Sequence, residues 1–125
     1  MKVNILGTEY SIYIRKIDDD SELKSNSWAG YCMSDKPVIV IADLDDKNYF
    51  NFEDSLEQDT YFKRTLRHEI IHAFLNESGL KDNALQYSAS WAKNEEMVDW
   101  LAQQYPKIDK VFKELGISDD NTGVS

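Results

Sequence analysis

The chain has little cysteine, histidine and positive charge, and each shortage narrows what the protein can be. Its 125 residues include one cysteine and two histidines. A single cysteine cannot form an intramolecular disulfide, so a reducing compartment is the expected location. The 14 lysines and arginines are outnumbered by 23 aspartates and glutamates, which gives a net charge of −9. This balance argues against a nucleic-acid partner and is compatible with a protein or peptide substrate.

Long apolar runs are also missing. The longest one, from Val38 to Ala42, is far too short to span a bilayer. Residues 1–10 lack the apolar stretch of a signal peptide. A hydrophobic content of 42% is typical of a folded chain with one core. We therefore expect a cytoplasmic protein without membrane association, with one domain over residues 1–116 and a disordered acidic tail over residues 117–125.

The first 44 residues carry the patterns of short β-strands. Tyr10, Ile12 and Ile14 alternate with polar residues, which predicts a half-buried antiparallel strand. The β-branched run Val38–Ile41 should be the most buried strand. Cys32 is expected to be a half-buried strand residue rather than a nucleophile, and residues 18–27 should form a loop or a short helical turn. The four predicted strands are Lys2–Leu6, Glu9–Ile17, Trp28–Met33 and Pro37–Leu44.

From residue 59 onward the apolar spacing becomes helical. Asp59 or Thr60 is the expected N-cap of a first helix, and Gly79 is its expected stop. Apolar residues lie on more than one side of this helix, which predicts a central element packed against both the sheet and another helix. A second helix is predicted over residues 91–104, halted by Pro106, and a short third helix should end at Gly116.

The central helix carries the motif H-E-x-x-H at residues 68–72, which uses both histidines of the chain. Two imidazoles four residues apart lie one helical turn apart on one face, where both can bind one metal ion. The glutamate between them, Glu69, can then face a metal-bound water. The simpler alternative is an amphipathic helix with two surface histidines.

A catalytic zinc site needs a third protein ligand, and with no histidine left it must be Asp, Glu or Cys. Glu95 is the best candidate because it lies at the edge of the apolar stripe of the second helix, where a carboxylate needs a compensating cation. Asp99, one turn later, is placed to accept a hydrogen bond from a ligand histidine. Asp82 and Glu77 are alternative ligands close to the end of the first helix.

These two segments together resemble a known class of enzymes. HEIIH followed by NEEMVD at residues 94–99 is similar to the gluzincin arrangement, and Asn94, Glu95 and Asp99 match the N-E-x-x-x-D motif of thermolysin-type enzymes. Size and layout resemble the small ImmA/IrrE-type zinc metallopeptidases of bacteria, phages and mobile elements. The resemblance implies an α+β zincin-like fold: an antiparallel or mixed sheet of three or four strands, a central HExxH helix, and a second ligand-bearing helix.

The resemblance also implies a function, that of a zinc-dependent intracellular endopeptidase. His68, His72 and Glu95 would bind Zn²⁺ with water in the fourth position, and Glu69 would act as general base on that water. An additional oxyanion donor could be Tyr31, Tyr61 or Tyr87. The substrate is expected to lie extended along an edge strand, either Cys32–Asp35 or Pro37–Leu44.

Two other functions are open at this point. The chain could be a non-catalytic zincin-fold protein that binds or regulates a partner of a phage or mobile element, although such a role has no need of Glu69. Metal-dependent RNA hydrolysis is disfavoured, because Lys63, Arg64 and Arg67 are too few and are expected to form a solvated helix face. The acidic runs at residues 18–20 and 43–46 are interpreted as solvated loops rather than calcium sites.

Overall fold

A computed structural model describes residues 1–79 and 95–120, apart from the side chains of Glu95, Glu96, Val98, Asp99 and Ala102. It has the predicted α+β architecture, with a four-stranded mixed sheet and helices. A 3₁₀ turn at Ile17–Asp19 follows the second strand. The elements are β1 (Lys2–Ile5), β2 (Thr8–Arg15), α1 (Ser21–Asn26), β3 (Gly30–Cys32), β4 (Val38–Ala42), α2 (Ser55–Glu77) and α3 (Glu95–Glu114).

The sheet has the strand order β1-β2-β4-β3. β1 and β2 form an antiparallel hairpin, and Leu6 and Gly7 both have positive φ, as a two-residue type I′ turn requires. β2 is antiparallel to β1, as predicted, and parallel to β4, which makes the sheet mixed. Ile14 is also 55% exposed, unlike Tyr10 and Ile12. β4 is the most buried strand, as predicted.

α2 packs against the sheet and against α3, which confirms the prediction of a central helix. Its predicted start was wrong: the N-cap is Asp54, whose carboxylate accepts a hydrogen bond from the N–H of Glu57. The Glu57 carboxylate in turn accepts from the N–H of Glu53, a reciprocal arrangement that adds a helical turn before residue 59. Gly79 has a φ of +73° directly after the helix, as expected of its stop.

α3 runs through Pro106 without a break, so the predicted division into two helices was wrong. Proline removes one helical hydrogen bond, but burial of Ile108 and Val111 in the main core holds the following turns in place. The helix ends just before Gly116, whose φ is +70°, as predicted. The segment predicted for residues 91–94 lies outside the described residues.

The structure describes residues 117–120 of the predicted tail, and Ile117 and Asp120 among them contact α2. Ile117 is 2% exposed and belongs to the core. Its carbonyl accepts a hydrogen bond of 2.7 Å from Arg67, which also pairs with Asp120 at 2.6 Å. Lys63 is 4% exposed and pairs with Asp59, so the expected solvated face was wrong for Lys63 and Arg67, whereas Arg64 is exposed as expected. Residues 121–125 lie outside the described part.

The core lies mainly between the sheet and the two long helices, with a smaller cluster on the opposite face of the sheet under α1. Asp20 caps α1 by accepting hydrogen bonds from the N–H groups of Glu22 and Leu23. Burial raises the pKa of Asp20, but these bonds, Tyr31 and Arg15 outweigh it and lower the pKa below its usual range. Among the described helices, none is long and apolar enough to cross a membrane.

Candidate metal centre and cleft

α2 presents the H-E-x-x-H residues on the side of the helix that faces a cleft. Leu66, Ile70 and Phe74 take the helical positions that point into the core, and all are at most 1% exposed. His68 and His72 are exposed on the other side. Their Nε2 atoms are 3.1 Å apart, and the rings meet edge to face. Helical spacing and burial of the opposite face therefore bring the two predicted ligands together.

This geometry fits a bound divalent metal. Two imidazole nitrogens on one tetrahedral zinc are about 3.3 Å apart, given Zn–N bonds of about 2.0–2.1 Å. The observed 3.1 Å is close to that separation. The ligand atoms of His68, Glu69 and His72 all lie within 4.8 Å of one another. Neutral imidazole is the form that binds metal, and both desolvation and the neighbouring His68 lower the pKa of His72.

Glu69 differs from the histidines because its side chain turns inward. It is 6% exposed and lines the cleft with both histidines. Burial raises the pKa of Glu69 from its ordinary value to about 7. Among the residues that the structure describes, none donates a hydrogen bond to the Glu69 carboxylate. A carboxyl of this kind can both accept and donate a proton near neutral pH, which is what a general base must do when it later acts as an acid.

The cleft has a volume of about 600 Å³ and lies between α2 and β3. One wall is formed by His68, Glu69 and His72 of α2. The other is formed by residues 30–35, with Trp28 and Glu22 beside them. Gly30 lets these walls approach closely: a Cβ there would lie 3.1 Å from the Thr65 methyl of α2 and 3.0 Å from the Val40 carbonyl.

β3 is an edge strand of the sheet, and its outer side is not paired within the described residues. The residues on either side of β3 bond to β4: the Ala29 carbonyl accepts from the N–H of Ala42, and the N–H of Met33 donates to the Val38 carbonyl. Because alternate residues of an antiparallel strand bond to the same neighbour, the main-chain groups of Gly30 and Cys32 point to the free edge. An extended chain could therefore pair there, directly beside the histidines.

Asn76 is a site residue that the sequence analysis missed. It lies one turn after His72, and its side-chain amide donates to the Met33 carbonyl at 3.2 Å and to the Cys32 sulfur at 3.6 Å. It thereby ties the end of β3 to the histidine helix. The four-residue spacing from His68 through His72 to Asn76 was the signal that could have found it.

Cys32 is half-buried in β3, as predicted. Burial, with a further contribution from the nearby Glu69 carboxylate, raises the pKa of its thiol to about 12. A thiol with that pKa is protonated at neutral pH. Cys32 therefore contributes to the wall of the cleft and has no nucleophilic character there.

The predicted oxyanion donors occupy different places. Tyr31 lines the cleft, but its hydroxyl donates to Asp20 at 2.8 Å. Tyr61 packs against Phe50 and Phe52. Tyr87 lies outside the described residues.

The third metal ligand stays a prediction. The side chains of Glu95 and Asp99 lie outside the described part of the structure, although Glu95 is the first residue of α3. Asp82 also lies outside it. The structure does not bring Glu77, the other alternative ligand, into the cluster of His68 and His72. The carboxylate oxygens of Glu77 accept hydrogen bonds of 2.6 and 2.7 Å from the hydroxyls of Thr8 and Tyr10.

Comparison with known proteins gives no family for this chain. No protein-family model, no curated protein and no solved structure matches it. The resemblance to gluzincins therefore rests on the two motifs of the sequence, and the function must be argued from the site.

Proposed function

We propose that this chain is a zinc-dependent endopeptidase that hydrolyses a protein or peptide partner, with Glu69 as general base. The observation that carries the proposal is the combination of the His68–His72 pair with an inward-facing Glu69 in a cleft bordered by a free strand edge. A surface histidine pair on an ordinary amphipathic helix needs neither the buried glutamate nor the cleft.

His68, His72 and Glu95 are the proposed ligands of the metal. When bound, zinc would polarise a peptide carbonyl and make water a nucleophile at neutral pH. Glu69 removes a proton from the attacking water at its carboxylate and later delivers that proton to the leaving amine. Asp99 is the proposed acceptor for the second ring nitrogen of a ligand histidine, which would fix the orientation of that ring.

The peptide is proposed to pair with β3 in extended form. The main-chain groups of Gly30 and Cys32 point to the free edge and can bond an added strand. The alternative over Pro37–Leu44 is wrong, because β4 is paired with β2 on one side and β3 on the other. Pairing at β3 would lay the peptide bonds along the cleft that holds Glu69.

The decisive experiment measures zinc content and peptidase activity together. We expect one zinc per chain in the wild type, loss of zinc in Glu95→Ala, and retention in the neighbouring control Glu96→Ala. Glu69→Gln should keep zinc while hydrolysis of an unfolded protein such as casein falls at least about 100-fold. Retention of zinc in both alanine variants would move the third ligand elsewhere. Absence of zinc from the reconstituted wild type, or unchanged hydrolysis in Glu69→Gln, would refute the proposal.

A further inference from the structure

The charge of the cleft is one-sided. Three carboxylates line it, those of Glu22, Asp35 and Glu69, and none of its described lining residues is a lysine or arginine. Within the described part of the chain, no cation forms an ion pair with Glu22 or Asp35. Glu69 is more than nine-tenths buried and receives no hydrogen bond from the described residues. Glu22 and Asp35 thus bring negative charge to the cleft that no described cation pairs with, and Glu69 adds a buried carboxyl group without a described hydrogen-bond partner.

Glu22 is an exposed residue of α1, and it lines this cleft. The N–H of Glu22 donates to Asp20, which fixes the first turn of α1. The Asn26 amide donates to one carboxylate oxygen of Glu22 at 3.3 Å. The other oxygen is free to accept from a ligand.

An aromatic surface lies beside these acids. Trp28 is 45% exposed and lines the cleft. The backbone N–H of Trp28 donates to the carbonyl of Leu23 at 3.1 Å, and its ring packs at a tilt against Tyr31, with centroids 6.2 Å apart. Indole is the aromatic ring that attracts a cation most strongly. An exposed indole and a carboxylate that line one cleft suit a side chain with an apolar stem and a positive end.

We propose that the cleft selects peptides carrying lysine or arginine, with the side-chain cation bound between Glu22 and Trp28. This inference rests on the proposed function, because the free edge of β3 supplies the pairing that presents the peptide. Side chains of an extended peptide alternate between the two sides, so a strand paired with Gly30 and Cys32 directs every second side chain toward the cleft walls. Asp35, at the end of the same wall, adds to the negative field.

The test measures binding of fluorescein-labelled peptides to full-length Glu69→Gln, which prevents turnover. The peptides share threonine and valine flanks and differ at one residue: lysine, arginine, norleucine or glutamate. We expect lysine and arginine peptides to bind about tenfold more tightly than the norleucine peptide, with the preference reduced by added salt. Glu22→Gln and Trp28→Leu should each remove most of the preference, and Trp28→Leu should also weaken norleucine binding, because the indole packs against the apolar stem.

Glu53→Gln is the matched control, because it removes the same charge from an exposed residue that does not line the cleft. Three results would overturn the inference. They are equal binding of the lysine and norleucine peptides, no binding of the lysine peptide, and an effect of Glu53→Gln equal to that of Glu22→Gln. Cleavage of both peptides at equal rates by the wild type would overturn the preference and leave the peptidase proposal intact. Selective binding without cleavage would support the cation site and refute hydrolysis.

Discussion

Replacing Gly30 with alanine tests the close approach between β3 and α2. The added methyl would lie 3.0 Å from the Val40 carbonyl, 3.0 Å from the Ile41 methyl and 3.1 Å from the Thr65 methyl. The Val40 oxygen is backbone and cannot move without distorting the sheet. Overpacking of this kind costs about 1–3 kcal/mol. Alanine also lowers the entropy of the unfolded chain, which raises the free energy of unfolding by about 0.4–1 kcal/mol. The steric destabilisation should be the larger of the two effects.

Urea and thermal unfolding measure the result. We expect a net loss of about 1–2 kcal/mol, and each kcal/mol should lower Tm by about 3–5 °C in a chain of this size. Adding Thr65→Ser should recover part of the loss, because serine removes the clashing methyl and keeps the hydroxyl that bonds the Tyr61 carbonyl. Peptide binding should weaken as β3 is displaced, while the zinc content stays constant, since both histidines are on α2.

Gly79→Ala is the comparison variant. No atom lies within 4 Å of its added Cβ, but its φ of +73° costs about 1 kcal/mol for alanine. It should lower stability without changing peptide binding. A Gly30→Ala protein as stable as the wild type would show that β3 and α2 are farther apart than described, and the reasoning about the cleft walls would fail.

Three further predictions concern other parts of the fold. Asn76→Ala should lower the free energy of unfolding in urea by about 1–2 kcal/mol, because the Met33 carbonyl loses the amide donor, and it should also weaken peptide binding. Asn76→Asp should be at least as destabilising, because it places an acceptor against that carbonyl. Asp20→Ala should cost about 1–2 kcal/mol at pH 7 through loss of the α1 cap. The pKa of Asp20 is lower in the folded than in the unfolded protein, because backbone N–H groups, Tyr31 and Arg15 stabilise its carboxylate. The stabilisation by the ionised carboxylate is therefore present above the unfolded pKa and is lost as pH falls through the folded pKa. The difference in the free energy of unfolding between Asp20→Ala and the wild type should therefore become smaller in acid. A difference that does not change with pH would contradict the role of the Asp20 carboxylate. Leu6→Asn should stabilise the hairpin by about 0.5–1 kcal/mol in thermal unfolding, because asparagine tolerates the positive φ of this position, and a lower Tm would count against it.

Local patterns predicted much of this fold from the sequence. The strand periodicity, the β-branched run of β4 and the glycines that follow α2 and α3 are all short-range signals, and the structure agrees with them. The histidine pair was predictable because helical spacing alone brings His68 and His72 together.

The features that local sequence patterns did not predict depend on contacts between distant residues. Arg67 looks like a solvated cation until Asp120 and the Ile117 carbonyl pack beside it. Pro106 stops a helix in isolation, but core packing beyond it keeps α3 continuous. The parallel pairing of β2 with β4 leaves no periodic mark that would separate it from an antiparallel pair. Such features follow from tertiary packing, which overrides local preference.

The unequal lengths of the two cleft walls have a consequence for local stability. β3 has three residues at a sheet edge, whereas α2 has 23 residues and passes through the core. Short exposed edges open at low free energy, and buried helices open only when the whole domain unfolds. The amide hydrogens of Gly30 and Cys32 should therefore exchange rapidly with solvent while those of α2 around the histidines exchange slowly. The proposed metal ligands His68 and His72 would then be rigid, and the adaptable wall would be the one that pairs with the proposed peptide. Binding of that peptide would appear as new protection at those two amides.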